Sequence, residues 1–317
     1  MGRLALIATS LAQLGLLVLT APLVTGFIQK LKARLQSRRG ASVWQPYRDL
    51  AKLWRKGTVQ SDSASAIFGA VPALVLAATL CAAALVPVVW APDARDAASL
   101  PLGDAILLLS LLALARFLTA VGALDAGGAF GGMGASREMT VGVLVEPVFM
   151  LVVFSVALAA GTTDLGGLAA RRLSDFPAFG AADLMALFAM LILLLAETGR
   201  IPVDNPDTHL ELTMLHEGML LEHSGRGLAC LVLAAHVKQL AVIAVVAAVF
   251  FPAGLAASAA PAALALALAA SAGKVLLLAV FLGLVESSYA KLRFFRLSQF
   301  LGVGFVTAFL ALALRIL

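Results

Sequence analysis

The feature that most constrains this sequence is the alternation of long, almost uncharged apolar stretches with short loops that hold most of its charge. A helix that crosses a bilayer needs roughly 20 apolar residues. Eight stretches approach or exceed that length, near 4–29, 66–90, 103–121, 140–160, 180–196, 227–252, 261–285 and 298–316. Soluble domains carry roughly a quarter charged residues, whereas this chain has 13% charged and 62% hydrophobic residues and a mean hydropathy of +1.00. The pattern predicts an all-α integral membrane protein, a single polytopic unit over 1–317 with about eight transmembrane helices. The first stretch is longer than the roughly 7–15 residues of a signal-peptide core. It runs directly into Lys30, Lys32 and Arg34, and it reads as a retained helix.

Alternate loops differ sharply in basic charge. One set holds fifteen Lys and Arg residues, among them Arg38, Arg39, Lys52, Arg137, Arg200, Lys291 and Arg293; the other, termini included, holds five: Arg3, Arg95, Arg171, Arg172 and Arg315. Basic loops stay on the cytoplasmic side. The loops near 30–65, 122–139, 197–226 and 286–297 are therefore expected in the cytoplasm, with both termini outside an inner membrane. The net charge of +5 follows from this asymmetry and does not call for nucleic acid as a partner. Two cysteines, Cys81 and Cys230, cannot supply the four thiolates an iron–sulfur cluster usually takes. Cofactors are thus expected on partners rather than in this chain.

The loop from Glu197 to Gly225 is the most polar. Asn205 as a cap, Pro206 at the first helical position and Gly225 beyond the end predict a helix of about 18 residues, too polar to span, that lies at the membrane surface or is buried among neighbours. On such a helix His209, His216 and His223 recur every seven residues and form one stripe. That spacing separates the imidazoles by roughly 10 Å, too far to share one metal ion, so the stripe reads as polar helix contacts. Glu211 and Glu222, eleven apart, share another face, with Glu217 nearby; they form either a solvated acidic face or carboxylates lining a hydrated path.

Inside the spans, Glu146, Lys238, Lys274 and Arg116 interrupt apolar sequence, with Glu197 and Glu286 at helix ends. Ionisable groups at membrane depth cost several kcal/mol and mark ion or proton pathways. Arg116 lies near a helix end, where its long side chain is expected to snorkel to the membrane surface. Pro147, directly after Glu146, removes a backbone donor and predicts a local opening beside the carboxylate. The loop 122–138, with Asp125, a run of five glycines from Gly127 to Gly134, Arg137 and Glu138, follows no strand and has no Lys-Ser or Lys-Thr pair. It reads as a flexible hinge or close-packed loop rather than a phosphate loop. The first basic loop, rich in Trp44, Tyr47 and Trp54, reads as an interfacial amphipathic helix on anionic lipid, or as a dock for an acidic partner. Gly-x-Ser-x-Gly, His-Glu-x-x-His and Cys-x-x-Cys are all absent, so hydrolytic and metal chemistry are not expected.

Two motifs carry a resemblance. Gln45-Pro46 with Asp49 and Lys52-Leu53, and Glu197-x-x-Arg200-x-Pro202-x-Asp204 with Pro206, Asp207 and Glu211, resemble the membrane heel subunit of NADH-quinone oxidoreductase, complex I. The run Arg200 to Met219, including His209, His216 and Glu217, with Glu222 after it, is more similar to the membrane subunit of group 4 [NiFe] hydrogenase complexes, formate hydrogenlyase subunit 4 or hydrogenase-4 component C. The segment Glu286 to Arg296, with Lys291 and Arg293, resembles it too. Val203 and His209 replace a phenylalanine and a glutamate of the quinone-reducing form, and Arg39-Gly40-Ala-Ser-Val-Trp44 replaces its Arg-Gly-Pro-Asn approach.

The resemblance implies an eight-helix anchor for hydrogenase large and small subunits and an iron–sulfur protein, beside antiporter-like membrane subunits. Iron–sulfur clusters and a [NiFe] centre would sit on those partners, and no quinone is expected. A coupling path would run through Glu146, Glu197, Asp204, Glu211, Glu217, Glu222, Lys238, Lys274 and Glu286. Arg38, Arg39, Trp44, Gln45, Pro46, Asp49, Lys52, Asp125, Arg137, Glu138, Arg200, Pro202, His209, His216, Lys291 and Arg293 would face partners. The competing readings are a quinone-site subunit of a complex I-type enzyme, a stand-alone ion transporter and an inert scaffold.

Overall fold

The eight apolar stretches become eight long helices, and among the described residues three shorter ones lie between them. The computed structural model describes residues 3–61, 64–89, 103–175, 179–204, 215–256, 261–290, 292 and 294–317. The helices are α1 (Arg3–Leu35), α2 (Gln45–Arg55), α3 (Ala66–Ala84), α4 (Ala105–Asp125), α5 (Ala129–Ala160), α6 (Leu165–Asp175), α7 (Ala181–Glu197), α8 (His216–Leu220), α9 (Gly225–Phe250), α10 (Pro261–Ser288) and α11 (Phe294–Ile316). The described residues contain no strand, only an antiparallel bridge between Asp104 and Asp164 that ties the start of α4 to the start of α6. Seven helices are long and apolar enough to cross a membrane. The remaining predicted span, α7, has 17 residues. At 1.5 Å per residue it extends roughly 26 Å, short of a hydrocarbon core of about 30 Å.

Side-chain caps fix several helix ends. The Asp104 carboxylate accepts from Ile106 N at 2.7 Å and starts α4. Asp125 at the other end of α4 accepts from the backbone and hydroxyl of Ser65 at 2.9 Å and from Phe68 N at 3.2 Å, joining the end of α4 to the start of α3. In the centre stands α9, whose residues from Gln239 to Phe250 are all buried. Helices α1, α2, α3, α6, α7 and α10 pack around it, while α5 joins α4, α7 and α11. Large apolar side chains such as Leu19, Val143, Phe188, Leu277 and Val306 point outward. A bilayer, not water, is the medium that accepts such a surface.

Three expectations need correction. The glycine-rich run is neither hinge nor loop: α5 begins at Ala129 and continues unbroken through Pro147 to Ala160. Its glycines bring backbone close to backbone, since a Cβ on Gly134 would stand 2.9 Å from Leu215 O and 3.2 Å from Met219 N in the α8 segment. The predicted helix from Pro206 to Gly225 is not continuous either. Residues 205–214, with Asn205, Pro206, His209 and Glu211, lie outside the described residues, and the rest holds only the five-residue α8. Gly225, expected beyond a helix end, instead opens α9 with φ of +54°. The cause is local: the Ser224 hydroxyl donates to Val59 O at 2.8 Å and accepts from Val59 N at 2.7 Å, pinning the chain to the extended 57–60 segment. His216 and His223 therefore do not share a helical stripe. Helix α6 was not anticipated; its two neighbouring arginines and short length give no transmembrane signal.

Candidate functional site

Helix α7 ends in the interior of the protein. Its last residue, Glu197, is buried and pairs with Lys238, which lies thirteen residues into α9, roughly 20 Å along that helix. The chain after Glu197 then turns back: Arg200 N donates to Leu195 O at 3.1 Å, and Val203 and Asp204 both donate to Arg200 O. Irregular backbone is tolerated at such depth only where protein buries it or water lines it. Protein buries it here, and the turn borders a cavity of about 270 Å³ lined by Lys32, Arg116, Glu138, Glu197, Arg200 and Lys238, among others.

Arg116 of α4 is the hub of a first cluster. Its Nη2 bonds Glu197, its Nη1 bonds Glu146 at 3.1 Å, and its Nε lies 3.5 Å from Glu138. Lys238 Nζ stands 2.8 Å from Glu197 Oε2. Arg116 is 6% exposed and does not snorkel, contrary to the sequence expectation. Two features hold it inside. The C-terminus of α7 carries partial negative charge that adds to that of Glu197 and favours cations there. Gly142, four residues from both Glu138 and Glu146 on α5, leaves room for the guanidinium, and a Cβ there would stand 3.0 Å from Arg116 Cδ and Nη1. Three carboxylates thus face two cations, and the ionised cluster is one negative charge in excess among the described residues.

A second cluster adjoins it. Glu286 of α10 accepts from Arg200 Nη1 at 3.1 Å and lies 3.4 Å from Lys32 Nζ of α1. Arg200 Nη2 also donates to Gln239 Oε1 at 2.8 Å, which takes a further bond from the Thr25 hydroxyl at 3.1 Å. One carboxylate here meets two cations, so this cluster is one positive charge in excess among the described residues. The two clusters are linked by the neighbouring residues Lys238 and Gln239 on α9, and both border the same cavity.

The remaining predicted residues are distributed around this centre. Asp204 is buried and accepts from Leu215 N at 3.1 Å, closing the polar loop. His216 and Glu217 line the cavity. Glu222 accepts from Gly131 N at 3.2 Å at the first turn of α5. Pro202 O accepts from Leu292 N at 3.0 Å, tying the turn to the segment after α10. Asp125 serves as the α3 cap, and Arg137 is half-buried on α5. Arg38, Arg39, Trp44, Asp49 and Lys52 are exposed around α2, Gln45 donates to Asp49 at 2.8 Å, and Pro46 is buried. Lys274 stands apart: it lies twelve residues, roughly 18 Å, from Glu286 along α10, and donates to the carbonyls of Phe251 and Ala253 at 3.0 Å. Lys291 and Arg293, like His209 and Glu211, lie outside the described residues. Sequence reading missed Lys32, Thr25 and Gln239 as parts of the site. Gln239 beside Lys238 in the middle of an apolar helix was the available signal.

His223, outside the spans, stacks on Phe68 with ring centroids 4.2 Å apart and planes 5° from parallel. Burial pushes its imidazole pKa down to about 4.

Comparison with known proteins places this arrangement. The chain is 35% identical over 312 residues to hydrogenase-4 component C of Escherichia coli K12, covering 96% of this chain and 95% of that protein. It is also 35% identical over 303 residues to formate hydrogenlyase subunit 4 of the same organism, covering 95% and 96%. Its fold matches a chain of the membrane-bound sulfane sulfur reductase, an archaeal respiratory membrane complex, with a TM-score of 0.80 over 98% of this chain and 99% of the other, at 19% identity. The NADH dehydrogenase family matches residues 7–316. With that match and two relatives aligned along nearly their whole lengths, this multi-pass membrane protein belongs to the NADH dehydrogenase family, alongside hydrogenase-4 component C and formate hydrogenlyase subunit 4.

Proposed function

We propose that this chain is the membrane anchor and coupling subunit of a membrane-bound [NiFe] hydrogenase or formate hydrogenlyase-type complex. In this reading the basic loops and the polar segment 198–224 face the cytoplasm from the inner membrane, both termini lie outside, and hydrogenase large and small subunits dock on α2, α8 and the loops between. Antiporter-like membrane subunits stand beside it. Iron–sulfur clusters and the [NiFe] centre belong to partner subunits, since the two cysteines stand apart on α3 and α9. No quinone is required in this reading: among the apolar side chains of the cavity stand Arg116, Glu138, Glu197 and Lys238, which can pass protons without it.

The observation that carries the proposal is the charge imbalance of the two clusters. One proton neutralises the carboxylate-rich cluster around Arg116, so a proton released by a nearby group when the soluble arm is reoxidised has a place to go, and on reduction the cluster can give it back. The change passes from the docking segment through Glu217 and Asp204 to Glu197 and Glu146, with Glu286 answering on the other side of α9. Glu197→Gln tests this. In proteoliposomes holding the whole complex, the variant is expected to lower ion movement per turnover by roughly tenfold or more while the soluble subunits still co-purify. Normal ion movement at normal turnover would refute the coupling role and leave an inert scaffold.

A further inference from the structure

The opposite end of α7 from the buried clusters holds a third charged group. Asp183, in the first turn of α7, receives two guanidinium groups on its Oδ1, Arg172 from α6 and Arg315 from α11. Its Oδ2 is taken by Gly180 N at 3.1 Å. One carboxylate therefore meets two arginines, and a positive charge remains among the described residues. The Nε atoms of both arginines are buried and have no hydrogen-bond partner among the described residues. The Arg172 side chain is 10% exposed and lies over the Phe179 ring, 5.9 Å from its centre, whereas Arg315 is 24% exposed and opens the group to the outside. On either side run outward-facing apolar residues, Leu184 and Phe188 along α7 and Leu310 and Leu314 along α11.

We propose that Arg172 and Arg315 bind the phosphate of an anionic phospholipid, in the leaflet opposite the basic loops, with its acyl chains along α7 and α11. The chemistry fits on three counts. A phosphodiester carries the single negative charge that the group lacks. Arginine's planar fork matches phosphate oxygens bidentately, and basic pockets between transmembrane helices take acidic headgroups. Asp183 stands in the first turn of α7 and Arg315 in the last turn of α11, the depth at which lipid phosphates lie.

The test uses the whole complex, purified from its host and placed in nanodiscs with a photoreactive phosphatidylglycerol whose acyl chain carries a diazirine. Peptide mass spectrometry is expected to find label in α7 and α11 at about five times the level given by the matching phosphatidylcholine, the ratio that about 1 kcal/mol for the one arginine charge Asp183 leaves uncompensated corresponds to. Arg315→Gln is expected to remove the preference. Asp183→Asn, which deletes the competing carboxylate, is expected to keep or raise it, whereas a clip with a structural role only would lose order in both variants. Equal labelling by the two lipids, an unchanged preference in Arg315→Gln, or a fall in Asp183→Asn overturns the proposal. Suppression of the label by inorganic phosphate overturns the assignment to lipid. If Arg315→Gln does not assemble, Asp183→Asn decides alone.

Discussion

Arg116 lies flat against α5 because residue 142 has no side chain. Gly142→Val places two methyl groups where the guanidinium rests, and overpacking of this kind costs roughly 1–3 kcal/mol. The variant is expected to melt earlier and to lose ion coupling, while Gly142→Ala, whose single carbon meets the flexible end of Arg116, is milder; thermal unfolding of the purified complex compares the two. At His223 the prediction concerns pH. Its pKa is about 6.5 when unfolded and is pushed down to about 4 in place, so protonation favours the opened form. Its contribution to stability is complete above pH 6.5 and is lost as pH falls toward 4. His223→Phe keeps the stack on Phe68 without a proton to bind and is expected to flatten that part of the stability profile, read from unfolding scans between about pH 4 and 8. Individual roles were only half legible in the sequence. Depth in an apolar run marks a residue such as Arg116 as costly, but direction around the helix decides whether it reaches lipid headgroups or three carboxylates, and direction depends on neighbours that are remote in sequence.

Hydrophobic length reads out spans directly, because a helix in lipid must satisfy its backbone internally whatever its neighbours do. The eight long helices were therefore visible without a structure, and α2 was visible from its aromatic and basic faces. Segments whose conformation depends on being covered were not. The described parts of the loop after Glu197, 198–204 and 215–224, hold buried irregular backbone beside α4, α5 and α9, and the capping residues around it read as those of one continuous helix when taken alone. The glycines of α5 were ambiguous for the same reason: they read as freedom, yet they serve close contact. Gly131 is the most direct test. A Cβ there would stand 2.7 Å from Glu222 Cγ and Oε1. Gly131→Val is expected to push Glu222 and α8 off α5, leaving the chain in the membrane but releasing the soluble subunits on purification; retention of those subunits would show that docking does not use α8.

Across the molecule, the ion pairs of the two clusters have opposite excess charge among the described residues and balance each other. Glu286→Gln takes the carboxylate away from Arg200 and Lys32, and breaking a buried pair costs roughly 3–5 kcal/mol. Arg200→Gln leaves Glu286 with Lys32 and is expected to cost less. Adding Arg200→Gln to Glu286→Gln is expected to recover part of the loss, a coupling that a double-mutant cycle of unfolding energies measures. The family and topology were legible from two short motifs and the distribution of basic residues, while the pairing of charges across α1, α4, α5, α7, α9 and α10 was not, since no spacing rule links residues so far apart. The central place of α9 has a consequence for how the protein is made. The helix that fills the middle is synthesised after most of those that surround it, so α1, α3 and α7 must wait as a loose ring with an open slot. Only the arrival of residues 225–250 lets that ring close, and a ribosome that stalls before this point leaves a set of inserted helices with nothing to assemble around.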